Sequence, residues 1–158
     1  MQLKLYLDVC CLNRPFDDWT QPRIRLEAEA VIAIINRCQA GNWLMIASTA
    51  LKSEIAQTPE STKRQQVMDL LNVSKIDMQV TIENINRANE LQALGYKPFD
   101  ALHIACAEFA KADTFLITDD RLLRKATNQS ERLDVRVANP VTWIIENSSI
   151  GEDNDSPN

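Results

Sequence analysis

At 158 residues and 17.9 kDa, with 45% hydrophobic and 25% charged residues, the chain has the size and balance of one soluble globular domain. It holds three glycines (Gly41, Gly95, Gly151) and one histidine (His103), which excludes Gly-rich nucleotide loops and sites built from paired imidazoles, such as H-E-x-x-H zinc centres. The 22 acidic residues set a net charge of −5 and a pI near 4.9, which argues against a broad basic face for nucleic acid and makes carboxylates the abundant chemical tool.

Leu3, Leu5 and Leu7 alternate with Lys4, Tyr6 and Asp8, predicting a strand from Leu3 to Val9 that ends in a loop with Asn13, Arg14 and Pro15. Ile24, Ala28, Val31, Ile32 and Ile35 recur at helical spacing, predicting a helix from about Arg23 to Cys38 stopped by Gly41. The apolar run Trp43 to Ala47 reads as a strand buried on both faces, and Ser48 or Thr49 caps a helix through about Gln57. A helix is expected over Glu60 to Leu71, while Ile76 to Ile82 is ambiguous between strand and helix start. Next come a helix from Glu83 to Leu94 stopped by Gly95, an apolar helix opened by Asp100, and a strand from Thr114 to Thr118. A short helix near Arg121 to Thr127, a small strand at Val135 to Val137 and a last helix after Pro140 complete the pattern.

Residues 1–146 read as one domain and 147–158 (NSSIGEDNDSPN) as an acidic tail expected to be disordered, where Glu152, Asp153 and Asp155 carry three of the five net negative charges. Cys10, Cys11, Cys38 and Cys106 lack C-x-x-C spacing and no secretory leader pattern opens the chain, so reduced thiols in a cytoplasmic protein are expected. No apolar run approaches the ~18 residues of a membrane span.

Strands separated by helices make this an α/β chain with a central, mostly parallel sheet of four to five strands covered on both faces. Such sheets bind ligands outside the carboxyl ends of their strands. Asp8 falls at the end of the first strand, Glu54 one and a half turns into the helix after the second, Asp100 at the start of the apolar helix, and Asp119 with Asp120 after the strand TFLIT. Each alone has an ordinary explanation as a strand end, surface group or helix cap. Together at one sheet edge they repel one another, and a divalent cation relieves that repulsion. All-oxygen ligation selects Mg²⁺ or Mn²⁺ over zinc, and these ions pair with phosphate oxygens, so phosphodiester hydrolysis is the chemistry they suit. His103, three residues after Asp100 on roughly the same helix face, reads as a core or supporting histidine.

The segments LYLDVCCLNRPFDD, STALKSEI, KPFDALHIACA and FLITDDRLLRKA, in this order, resemble PIN-domain proteins, the small metal-dependent ribonucleases that include VapC-type toxins. The resemblance spans about Leu3 to Ile145 and implies a three-layer α/β/α fold. It places the metal-binding carboxylates on Asp8, Glu54, Asp100 and one of Asp119 or Asp120. A T-x-D pattern anchored on Thr118 selects Asp120, whereas Asp119 lies directly off the strand, and the choice stays open. Cys10 stands where the family often has a small hydroxyl or amide residue. Asn13 and Arg14 resemble a first-loop signature and are candidate substrate contacts, Arg14 through phosphate. The resemblance further implies an RNA substrate, a role as the toxin of a type II pair with an antitoxin partner, and a homodimer.

Three function classes follow. The leading one is a Mg²⁺- or Mn²⁺-dependent endoribonuclease. A second is a catalytically weak or inactive PIN-like module that binds RNA or protein. The third, a receiver-like phosphotransfer domain, fits poorly because Ser48, not an acid, follows the middle strand. Arg14, Arg23, Arg121 and Arg124 are the candidate grips for RNA on an otherwise acidic chain.

Overall fold

The computed structural model describes residues 2–155, with side chains through 148. Five strands form one parallel sheet: β1 (Lys4–Leu7), β2 (Leu44–Ser48), β3 (Ile76–Met78), β4 (Thr114–Leu116) and β5 (Arg136–Ala138), in the order β3-β2-β1-β4-β5. The segment left ambiguous between strand and helix therefore resolves as the short edge strand β3 followed by a helix. Tyr6 lies beside Ile46 and Phe115 in register, and the central strands are apolar because neighbouring layers cover both their faces.

The expected loop after β1 is instead helical. Asp8 ends the extended segment and caps α1 (Val9–Asn13), accepting from the Val9 amide at 2.9 Å, and a 3-10 turn over Arg14–Phe16 follows. Asp8 is thus a cap at the carboxyl end of β1 and not a residue inside the strand. The helix α2 (Pro22–Gln39) opens on Pro22 and is followed by Gly41 at φ +88°, a left-handed turn that suits glycine. Ser48 caps α3 (Thr49–Ala56), which α4 (Ser61–Leu71) follows. A Thr81–Asn84 capping box starts α5 (Ile82–Ala93), and Gly95 at φ +103° turns the chain into α6 (Pro98–Phe109). Lys97, not Asp100, is the cap of α6, because Pro98 at the first helical position moves the start back and leaves Asp100 in the first turn.

Asp119 caps α7 (Asp120–Asn128), and α8 (Pro140–Asp155) continues through 147–155, most of the segment expected as a tail. Residues 156–158 lie outside the described ones.

Because β2 lies on one side of β1 and β4 on the other, right-handed crossovers place α2 on one face of the sheet and α5 with α6 on the opposite face. Packing agrees: α2 contacts α8, and α5 contacts α6. This is the three-layer α/β/α architecture. The core runs through the sheet, where Tyr6 meets Phe115 edge-on with centroids 5.3 Å apart, worth about 0.5–1.5 kcal/mol beyond burial. Among the described residues no helix is long and apolar enough to cross a membrane.

Candidate metal centre

The strand order reverses at β1, so the crevice between the carboxyl ends of β1 and β4 is the switch point where open α/β sheets bind ligands. Asp8 leaves β1 there, Glu54 arrives on α3, His103 on α6, and Asp119 follows β4. Asp8 is 8% exposed, Glu54 half-buried and His103 fully buried.

His103 Nε2 lies 3.3 Å from Glu54 Oε1 and 3.8 Å from Asp8 Oδ1. One ligand atom from each of the three residues falls within 4.8 Å of the others. The other imidazole nitrogen, Nδ1, is 2.7 Å from Tyr6 Oη, itself 2.7 Å from Ser48 Oγ, and that oxygen accepts from the Leu51 amide as the cap of α3. A hydrogen-bonded chain from the α3 cap through β1 to α6 thus fixes how α3 and α6 present Glu54 and His103. Cys10 takes up the position beside Asp8, its thiol donating to Asp8 Oδ2 at 3.2 Å. A weak donor therefore occupies the place where the resemblance implies a hydroxyl or amide.

Burial pushes the Asp8 carboxyl well above the usual carboxylate range, with the charge of Glu54 acting in the same direction and His103 against it. Asp100 is raised as well, first by burial and then by the charge of Asp119. Among the described residues no Lys or Arg forms an ion pair with Asp8, Glu54, Asp100 or Asp119. A desolvated carboxylate facing a second one, with no Lys or Arg paired to either among the described residues, offers oxygen donors that fit a dication of the Mg²⁺ or Mn²⁺ class.

Asp100 and Asp119 adjoin this cluster and line a cavity of about 470 Å³ together with Lys97, Arg121, Arg124 and Lys125. Both cap bonds to Asp119, from the Arg121 amide at 2.9 Å and the Leu122 amide at 3.1 Å, fall on Oδ1, so Oδ2 carries no bond within the described residues. Asp120 does not line the cavity. Its carboxylate is clasped by Arg23 at 2.6 and 2.8 Å, and that guanidinium holds it below the ordinary carboxylate range.

Of the first-loop candidates, Arg14 is occupied within the chain, paired with Asp17 at 2.8 Å and Glu27 at 3.0 Å, whereas Asn13 Oδ1 is buried with no hydrogen-bond partner among the described residues. Of the four arginines named as grips for RNA, Arg14 and Arg23 are held in ion pairs, whereas Arg121 and Arg124 line the cavity.

Two residues stand closer to this edge than their sequence context suggests. His103 lies in ALHIACA, where apolar neighbours make it look like filler, and its three-residue spacing from Asp100 is the one signal that turns it toward the carboxylates. Glu27 is 1% exposed, bonded to Arg14, Arg23 and Asn139. Its place three, four and seven residues before Ala30, Val31 and Ile34, all buried, carries the signal.

No family model matches the chain, and no curated protein matches it by sequence. Among solved structures, a chain from the crystal structure of VapBC2 from Rickettsia felis bound to a DNA fragment from their promoter matches it with a TM-score of 0.53. The two are 13% identical, and the match covers 87% of this chain and 98% of that one. The fold is PIN-like. At that identity the likeness establishes how the chain is folded, and the chemistry has to be argued from the residues at the sheet edge.

Proposed function

We propose that the chain is a divalent-metal-dependent endoribonuclease that cleaves RNA phosphodiester bonds at the crevice between β1 and β4. The observation that carries this reading is the convergence of Asp8, Glu54 and His103 at the switch point of a PIN-like sheet, where among the described residues no Lys or Arg forms an ion pair with either carboxylate. Asp8 and Glu54 would hold the ion. Asp100 and Asp119 would complete its surroundings from the cavity side, and one of them would accept the proton that the attacking water gives up, while Asp120 stays with Arg23. A Mg²⁺ or Mn²⁺ bound here would lower the pKa of a water and offset charge developing on the phosphate.

The acidic net charge ceases to be an objection at this place, because Lys97, Arg121, Arg124 and Lys125 gather around the cavity beside the carboxylates. These side chains bind the phosphates flanking the scissile one, as point charges and forks on a polyanion. The RNA substrate, an antitoxin protein as partner, a homodimer and a cytoplasmic place of action belong to the same reading, as does the division into a nuclease domain over 1–146 and a terminal segment over 147–158.

The test is cleavage of total RNA by purified protein in Mg²⁺, Mn²⁺ or EDTA, with Asp100→Asn alongside. Metal-dependent fragments that EDTA abolishes, and a loss of about 10²-fold or more in the variant, are expected. Absence of metal-dependent cleavage by the wild type overturns the proposal. Growth arrest on expression, relieved by a small protein encoded next to this one, would mark the toxin role.

A further inference from the structure

We propose that His103 Nε2 is a direct ligand of the bound cation, making the centre a mixed nitrogen and oxygen site that favours Mn²⁺ over Mg²⁺. The inference rests on the metal-site reading above and goes beyond it by adding a ligand outside the carboxylate set. The ring is fully buried, its Nε2 lies 3.3 Å from Glu54 and 3.8 Å from Asp8, and the three ligand atoms share one small space. A buried imidazole aimed at two carboxylates has two arrangements open to it. It donates Nε2–H to a carboxylate, or it keeps its proton on Nδ1 and offers the Nε2 lone pair.

The surroundings of Nδ1 supply the second arrangement. Tyr6 Oη sits 2.7 Å from both Nδ1 and Ser48 Oγ, and a hydroxyl can donate to either neighbour while accepting from the other. When Tyr6 donates to Ser48, it accepts from Nδ1–H, and the Nε2 lone pair faces Asp8 and Glu54. Ligating histidines are held in this way by a partner on the opposite ring nitrogen, which fixes both tautomer and ring orientation. Phe99 stacks on the ring at 6.0 Å and 26°, and Phe115 lies 6.4 Å away, so the imidazole is further held in place. Tyr6 is a positioning residue here, acting on the ion through His103. Imidazole nitrogen is a poor partner for Mg²⁺, which takes oxygen and dehydrates reluctantly, and a better one for transition-metal dications.

The single histidine of the chain makes the test unambiguous. Protein made without a histidine tag is loaded with Mn²⁺, and pulsed electron paramagnetic resonance reads the nitrogens bound to the ion, with ordinary and with ¹⁵N-labelled histidine. Inner-sphere nitrogen coupling that changes isotope pattern on labelling is expected. His103→Gln should weaken Mn²⁺ binding at least about tenfold while moving Mg²⁺ binding much less, and Tyr6→Phe should weaken Mn²⁺ several-fold. Mn²⁺ binding that depends on Asp8 yet shows no histidine nitrogen coupling overturns this inference and leaves the carboxylate site standing. Binding of Mg²⁺ without Mn²⁺ likewise overturns this inference alone, and if the wild type binds neither ion, or if Asp8→Asn binds Mn²⁺ equally well, both fall.

Discussion

Asp8 and Glu27 are two buried carboxylates near the same edge of the sheet, and the chain treats them in opposite ways. Glu27 is met by Arg14 at 3.0 Å, by Arg23 at 3.5 Å and by the Asn139 amide at 2.6 Å, so its charge is neutralised where it sits. It ties the segment after β1, helix α2 and the end of β5 together. Asp8 receives one backbone amide and a thiol, and it faces Glu54 and His103. Burial without a cation costs stability, and folding alone gives no reason to place a charge there. Of the two, one holds the sheet edge together, and on the function proposed above the other is kept at the expense of the fold for a ligand that brings positive charge.

The largest effect is expected from removing Glu27. Glu27→Ala leaves Arg14 half-buried with only Asp17 and should cost about 3–5 kcal/mol, read by urea denaturation, whereas an effect under ~1 kcal/mol would mean the cluster holds nothing together. The metal sharpens the contrast next. Mn²⁺ at a hundredfold excess over its dissociation constant should stabilise the wild type by about 2.7 kcal/mol and leave Asp8→Asn unmoved in a thermal melt.

In EDTA the sign reverses. A carboxyl raised in the folded state contributes stability that is complete below its unfolded range near pH ~3.9 and is lost as pH rises through the raised folded value. Wild type should therefore lose stability relative to Asp8→Asn as pH rises from the ordinary carboxylate range toward neutrality, and at pH 7 the variant should melt higher than wild type. A variant that melts lower at pH 7 would place Asp8 with Glu27. The smallest effect belongs to Asp120→Asn. Its pair with Arg23 is more than half exposed on both sides, and the substitution should leave the thermal melt almost unmoved and change RNA cleavage by less than about twofold.

The strands and their order of carboxylates were readable because short apolar runs bounded by helices admit few alternatives. Trp43 to Ala47 could hardly be anything but a buried strand, and the acids just after such runs then fall at the ligand-binding edge. Asp100 kept its place in the first turn of α6 although Lys97 took over the cap, since Pro98 shifts a helix start without turning that face. Less readable were the choices made by tertiary partners. Asp119 and Asp120 are adjacent acids in one turn, and Arg23, 97 residues earlier, separates them by clasping Asp120. Glu27 looks like one more charge on an amphipathic helix until Asn139 and Arg14 arrive from distant segments. The direction of His103 depends on Tyr6 and Ser48, from two different strands. These outcomes rest on contacts between residues far apart in the chain, which local pattern does not encode.

On the proposed function, Asp8 is costly to the fold and indispensable to the chemistry. The direct measurement is Mn²⁺-dependent cleavage of total RNA by wild type, Asp8→Asn and Glu27→Gln, at a temperature where each is verified to be folded. The account predicts that Asp8→Asn, at least as stable as wild type in EDTA, loses about 10²-fold or more of the rate, while Glu27→Gln, less stable, keeps most of it. Cleavage by Asp8→Asn at the wild-type rate would contradict it.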